Sequence, residues 1–165
     1  MSSSDRRAIL TLFAALPLAA CGFSPAYGPS GPAAGLMGQV RADDPQDKNA
    51  FDLVERLEER LGRSGQPKFL LSYTITTWQQ GRAVEPDNSI TRYQIFGRIS
   101  FTLKDAATNA KLGGGVVTGF TAYSAVGSKV ESNSAEADAK LRLMHLLADR
   151  IVTELVAAAT VWNAK

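Results

Sequence analysis

The chain predicts an α+β fold, a two-layer sandwich with two amphipathic helices on one face of a mostly antiparallel four-stranded sheet. Apolar residues recur at three- and four-residue steps over about 47–61 and again over about 134–159, so each segment is a helix with one buried stripe. Between them, two runs alternate apolar and polar residues with period two, the mark of strands with one buried face, and a third long strand follows. The expected order is β-α-β-β-β-α, and neither layer buries its apolar face without the other.

The N-terminus is a targeting segment. Arg6 and Arg7 precede an apolar run over 8–20 that closes on small residues at Leu18-Ala19-Ala20-Cys21. A membrane span needs about 20 apolar residues, so the run is an export signal and not an anchor helix. The paired arginines leave general and twin-arginine export both open. The Leu-Ala-Ala-Cys ending resembles the lipobox of bacterial lipoproteins. That resemblance implies removal of residues 1–20, lipidation of the Cys21 sulfur and acylation of the new N-terminus.

The stretch 22–35 holds three prolines and four glycines and has no period, so 21–35 is expected to be a tether. A single domain over 36–162 follows. Residues 36–42 predict a first strand, weakened by Gly38 and ended by Asp43-Asp44-Pro45. The first helix carries Ala50, Val54, Leu57 and Leu61 as its stripe, with Leu53 and Phe51 at the edges. Asp52, Glu55, Arg56 and Glu59 cover the other side. Asp47 suits the N-cap and Gly62 the stop.

In the second strand Phe69, Leu71, Tyr73 and Ile75 alternate with Leu70, Ser72, Thr74 and Thr76. Residues 79–88 predict a turn, since they include Gly81, Pro86, Asp87 and Asn88. The third strand, 90–104, places Thr91, Tyr93, Ile95, Gly97, Ile99, Phe101 and Leu103 on one face. Arg92, Gln94, Arg98, Ser100, Thr102 and Lys104 take the other, with Phe96 as the apolar exception. After a turn at 105–109, residues 111–125 form the fourth strand. Gly113-Gly114-Gly115 there predicts a bulge or a close backbone approach. Asn133 and Glu136 have capping-box spacing before the last helix, whose stripe is Leu141, Met144, Ala148, Ile151, Val152 and Leu155, widened by Leu143, Leu147 and Val156.

Composition excludes several chemistries. Of 18 basic and 16 acidic residues, Arg6, Arg7 and Asp5 leave with the signal, so the mature 145 residues carry +1. That balance argues against general nucleic-acid binding, which neutralises many phosphates. The single cysteine is consumed by lipidation and His145 is the single histidine, so no metal site is expected and no cofactor is implied. There is no Gly-x-Ser-x-Gly elbow to serve His145 with a nucleophile, and no catalytic residue is assigned. Arg92, Arg98 and Lys104 line one strand face, with Arg82 in the segment before it. Such a row suits an anionic amphiphile or an acidic protein surface. The same charges also serve to block edge-to-edge pairing of sheets.

The ordered set of motifs resembles the LptE family, lipopolysaccharide-assembly lipoproteins of Gram-negative outer membranes. The residues that carry it are the lipobox with Gly22-Phe23-Ser24-Pro25-Ala26-Tyr27-Gly28, the strand opening Thr91-Arg92-Tyr93-Gln94, and the helix segments Ser134-Ala135-Glu136-Ala137-Asp138-Ala139 and Leu147-Ala148-Asp149-Arg150-Ile151. The Gly-rich tether and paired arginines resemble alphaproteobacterial members. The resemblance implies a non-enzymatic protein that plugs the outer-membrane β-barrel LptD, assists its assembly and binds lipopolysaccharide for delivery to the outer leaflet. It implies basic residues as lipopolysaccharide contacts, and Arg82, Arg92 and Arg98 are the candidates. Gly22 in place of aspartate after Cys21 resembles outer-membrane sorting, with the body facing the periplasm. The alternative is another envelope lipoprotein, acting as a lipid carrier or a scaffold.

Overall fold

The computed structural model describes Gly28 and residues 31–84, 90–125 and 128–162. Strands β1 (Val40–Ala42), β2 (Phe69–Val84), β3 (Ile90–Asp105) and β4 (Lys111–Ser124) form one sheet in the order β1-β2-β3-β4. β1 runs parallel to β2, and the other pairs are antiparallel, so the sheet is mixed. Helices α1 (Lys48–Leu61) and α2 (Lys129–Trp162) complete the order β-α-β-β-β-α. The α+β reading therefore holds, with β1 as the parallel member.

β1 is shorter than the 36–42 expected. Pro32–Gly35 is a 3-10 turn, and Ala33 and Leu36 behind it are buried. Gly38 then takes a left-handed φ of 64°, so extended backbone starts only at Val40. The described end of the stretch read as a tether thus packs into the core. The Gly38 amide also donates to the Leu61 carbonyl at 2.7 Å, which satisfies one orphan acceptor at the end of α1.

α1 starts where the sequence places it. The Asp47 carboxylate accepts the Ala50 amide at 2.8 Å, and Gly62 leaves the helix at φ 81°. Its buried face is Ala50, Leu53, Leu57 and Leu61, and Phe51 is exposed. Two residues expected on the solvent side are turned inward. Asp52 is 3% exposed and paired with Lys48. Arg56 reaches α2 and clasps Asp149 with two bonds, Nε to Oδ1 at 3.1 Å and Nη2 to Oδ2 at 3.0 Å. These bonds, joined by one that Arg56 donates to Glu59, raise the Arg56 pKa, so the guanidinium stays charged.

α2 begins five residues before the expected start near 134. The cap lies further upstream than Asn133. The Ser128 Oγ accepts the Glu131 amide at 3.3 Å and the Glu131 carboxylate accepts the Ser128 amide at 2.7 Å, a reciprocal capping box. The Ser128 amide holds the Glu131 carboxyl below its ordinary value. A lowered folded-state pKa stabilises above the unfolded value, and the gain is lost as pH falls through the folded one. The Ser128 amide resonance should titrate with a midpoint below the free glutamate value of about 4.3. Glu131→Gln should abolish that titration in an NMR pH series, and an unchanged midpoint would refute the box.

α2 lies across β3 and β4 and buries Ala139, Leu143, Met144, Leu147, Ala148, Ile151, Val152, Leu155, Val156 and Ala159. Gly97 and Gly119 are paired partners beneath it. A Cβ at Gly97 would sit 2.7 Å from Leu147 Cδ1, and one at Gly119 would sit 2.5 Å from Leu146 Cδ2. The missing side chains form a saddle that lets the helix approach the sheet closely.

The glycine run in β4 makes the predicted close approach, and the bulge lies beside it at Leu112, which the register skips. The register shifts between Leu103 and Lys104, and a Cβ at Gly114 would meet the Phe101 carbonyl oxygen at 2.6 Å. Among the described residues, no helix is long and apolar enough to cross a membrane.

Candidate functional site

The helices cover one face of the sheet and leave the other open. In β3 the odd positions Ile95, Gly97, Ile99, Phe101 and Leu103 are buried, so the even positions point to the open face. The turn expected over 79–88 is strand as far as Val84, and residues 85–89 lie outside the described residues. Gly81 is accommodated by register shifts between Gly81 and Ala83 and between Ala83 and Val84.

The three candidate arginines share this face. Arg92 and Arg98 are exposed even positions of β3, opposite Ser124 and Thr118 of β4. Arg82, also exposed, donates from Nε to Gln94 Oε1 at 2.7 Å, and this bond ties it to the same surface. Arg92 and Arg98 are six residues apart, about 20 Å at strand rise. The arginines therefore form a line and not a single pocket. Cys21 lies outside the described residues.

Between the arginines stands an aromatic rung. Trp78, Phe96 and Phe120 are register partners across β2, β3 and β4. Trp78 stacks on Phe96 with centroids 5.4 Å apart and planes 9° apart, and Phe96 meets Phe120 at 5.8 Å and 37°. Trp78 is 45% exposed and Phe120 is 57% exposed. Phe96 alone stood out in the sequence, as the apolar residue on a polar face. Trp78 and Phe120 join it only through strand register, and their even parity was the available signal.

Charge is segregated between the layers. The strands carry Arg41, Arg82, Arg92, Arg98, Lys104 and Lys111, but one acid, Asp105. Asp105 is engaged by the Thr108 and Ala107 amides and the Thr108 hydroxyl in the turn after β3, and these bonds lower its pKa. The remaining described acids lie in the helices and in the 43–47 connection. Among the described residues, Arg82, Arg92 and Arg98 form no ion pair with an acid. The open face is thus cationic and aromatic, and among the described residues no carboxylate points into it.

The helix layer carries no comparable chemistry. His145 is half-buried beside Glu55, Glu58, Glu59 and Arg63, and Asp149, one turn on, is held by Arg56 and Arg60 instead. Among the described residues, no group of three or more His, Cys, Asp or Glu is placed to hold a metal ion.

The fold is shared with solved lipoprotein structures. A chain from Caulobacter crescentus described as a lipoprotein superposes with a TM-score of 0.68 at 20% identity, covering 81% of this chain and 98% of that one. Rare lipoprotein B from Shewanella oneidensis gives 0.58 at 12% identity, covering 76% and 97%. A minor lipoprotein from Acinetobacter baumannii gives 0.54 at 14%, covering 72% and 89%. No match is found among curated protein sequences. The LptE family model, described as lipopolysaccharide-assembly, matches residues 37–155. That match runs from the turn before β1 almost to the end of α2 and takes in the whole open face, so the chain belongs to the LptE family of non-enzymatic lipopolysaccharide-assembly lipoproteins.

Proposed function

We propose that this protein is the outer-membrane, periplasm-facing member of a lipopolysaccharide translocon. It plugs the lumen of an LptD-type β-barrel, assists its assembly and binds lipopolysaccharide on the way to the outer leaflet. Residues 1–20 are the export signal, and Cys21 bears the acyl chains that hold the body at the membrane. Each buried methylene contributes about 0.8 kcal/mol, so two or three chains anchor stably where one does not.

The observation that carries the reading is the open sheet face. A row of arginines that no carboxylate among the described residues opposes offers bidentate donors to phosphate groups. Arg92 is the best placed, because it stands in the strand opening that resembles the family. Ser72, Thr74, Thr76, Ser100 and Thr102 along the rest of the face give hydrogen bonds to a polar barrel lumen.

The carrier reading requires an enclosed apolar cavity, and the core counts against it. Leu53, Leu71, Ile99, Leu143, Leu147 and Ile151 fill the space between layers without exposure. A groove of about 790 Å³ between α1 and α2 is lined by charged groups, among them Asp47, Lys48, Asp52, Glu136, Asp138 and Lys140.

Gentle membrane extraction followed by mass spectrometry should recover the large barrel with this chain. Its absence from every preparation would defeat the plug reading. Arg92→Glu should weaken lipopolysaccharide binding about tenfold, the effect of losing one charge-assisted contact of about 1.4 kcal/mol. Barrel recovery should stay unchanged. Undiminished binding by this variant would remove Arg92 from the site.

A further inference from the structure

We infer that the Trp78–Phe96–Phe120 rung is an acyl-contact site, which seats the apolar part of an anionic amphiphile whose charged groups are held by the flanking arginines. The inference rests on the lipopolysaccharide-binding reading above and adds to it three residues and a second kind of contact.

Monomeric proteins rarely leave contiguous large apolar side chains in water without a partner. Here three rings touch across three strands on a face that no element among the described residues covers. The nearly parallel planes of Trp78 and Phe96 turn their faces toward each other, so ring edges look outward. That makes a ridge about 10 Å long across the strands, suited to flexible hydrocarbon and not to stacked bases. A polar barrel wall would satisfy the neighbouring Thr and Ser hydroxyls but would leave the rings unmatched.

Charge complementarity decides the class of occupant. Arg98 stands two residues from Phe96 along β3, about 7 Å, and Arg92 four residues the other way, about 14 Å. Cations therefore bracket an apolar ridge on both sides, and no strand carboxylate repels an anion between them. An amphiphile with separate anionic groups and several acyl chains meets all of these features at once.

The test uses the full-length lipoprotein in phosphatidylcholine nanodiscs, with intact lipopolysaccharide and its fully deacylated, phosphorylated saccharide as probes. Trp78→Thr combined with Phe120→Thr keeps strand propensity at exposed positions. It should weaken binding of intact lipopolysaccharide about tenfold and change saccharide binding by less than about twofold. Equal loss for both probes, or loss for neither, overturns the inference. A wild type that binds both probes equally overturns it while the lipopolysaccharide reading stands. A wild type that binds neither probe sinks both. A photo-crosslinker in place of Phe120 in living cells supplies a second readout: a lipopolysaccharide adduct supports the site, and adducts to protein alone, or none, refute it.

Discussion

Leu147→Ala is expected to destabilise the protein by about 3–5 kcal/mol, the upper part of the range for a buried leucine. The reason is what lies beneath it. Leu147 is 0% exposed, and its two methyl groups sit over Gly97 and Gly119. The cost of such a truncation depends on how far the surroundings collapse into the void. Here the floor is strand backbone held in register, with no side chain that can swing in from below. The cavity therefore stays open. A domain of this size holds about 5–15 kcal/mol in all, so the variant loses a large share of its margin. Urea unfolding should show a lower midpoint at unchanged slope. Leu141→Ala, at a half-buried position beside the charged groove, should cost about 1 kcal/mol. Equal costs at the two positions would mean that the saddle is not the tight point of the core.

How much of this could be read from the chain alone depends on the range of the interactions involved. Period and local caps were legible. The α1 stripe, Asp47 at its N-cap, Gly62 at its end and the odd-position face of β3 follow from residues a few positions apart. Gly113-Gly114-Gly115 is also legible as a bulge or a close approach: the close approach is at Gly114, and the bulge falls one residue before the run, at Leu112.

The misplaced features depend on partners distant in sequence. Arg56 reads as a solvated charge until α2 brings Asp149 to it, 93 residues away. Gly81 reads as a turn, yet the strand passes through it because β3 continues to pair and the irregularity is absorbed by register shifts. Asn133 and Glu136 have the same spacing as Ser128 and Glu131, so local sequence alone places the start of α2 too late. The actual box is the upstream one. Arg82, Arg92 and Arg98 stand out by charge, and they do share a face. Their aromatic neighbours Trp78 and Phe120 needed the cross-strand register, which no single segment contains.

Gly97→Val should reverse the usual sign of a glycine-to-valine change in a strand. At an open strand position valine is favoured, because it packs well on a pleated surface and glycine costs backbone entropy. At Gly97 the first added carbon already falls 2.7 Å from Leu147 Cδ1 and 3.2 Å from Leu143 Cδ2, and valine adds two more. Overpacking of this kind costs about 2–3 kcal/mol. Gly97→Ala should cost less, because the nearest atom is a leucine methyl that can rotate away. The consequence reaches the open face, since Phe96 and Phe120 are the chain neighbours of Gly97 and Gly119. A helix lifted from the saddle changes the local twist, and the Trp78–Phe96 stack moves with it. Combining Gly97→Val with Leu147→Ala tests the mechanism directly. The valine methyls enter the volume that the leucine vacates, so the double variant should be at least about 1 kcal/mol more stable than the sum of the single effects, as expected for neighbours sharing one cavity. Strict additivity in urea unfolding would mean that the two residues do not meet, and would remove the saddle as the link between the core and the aromatic rung.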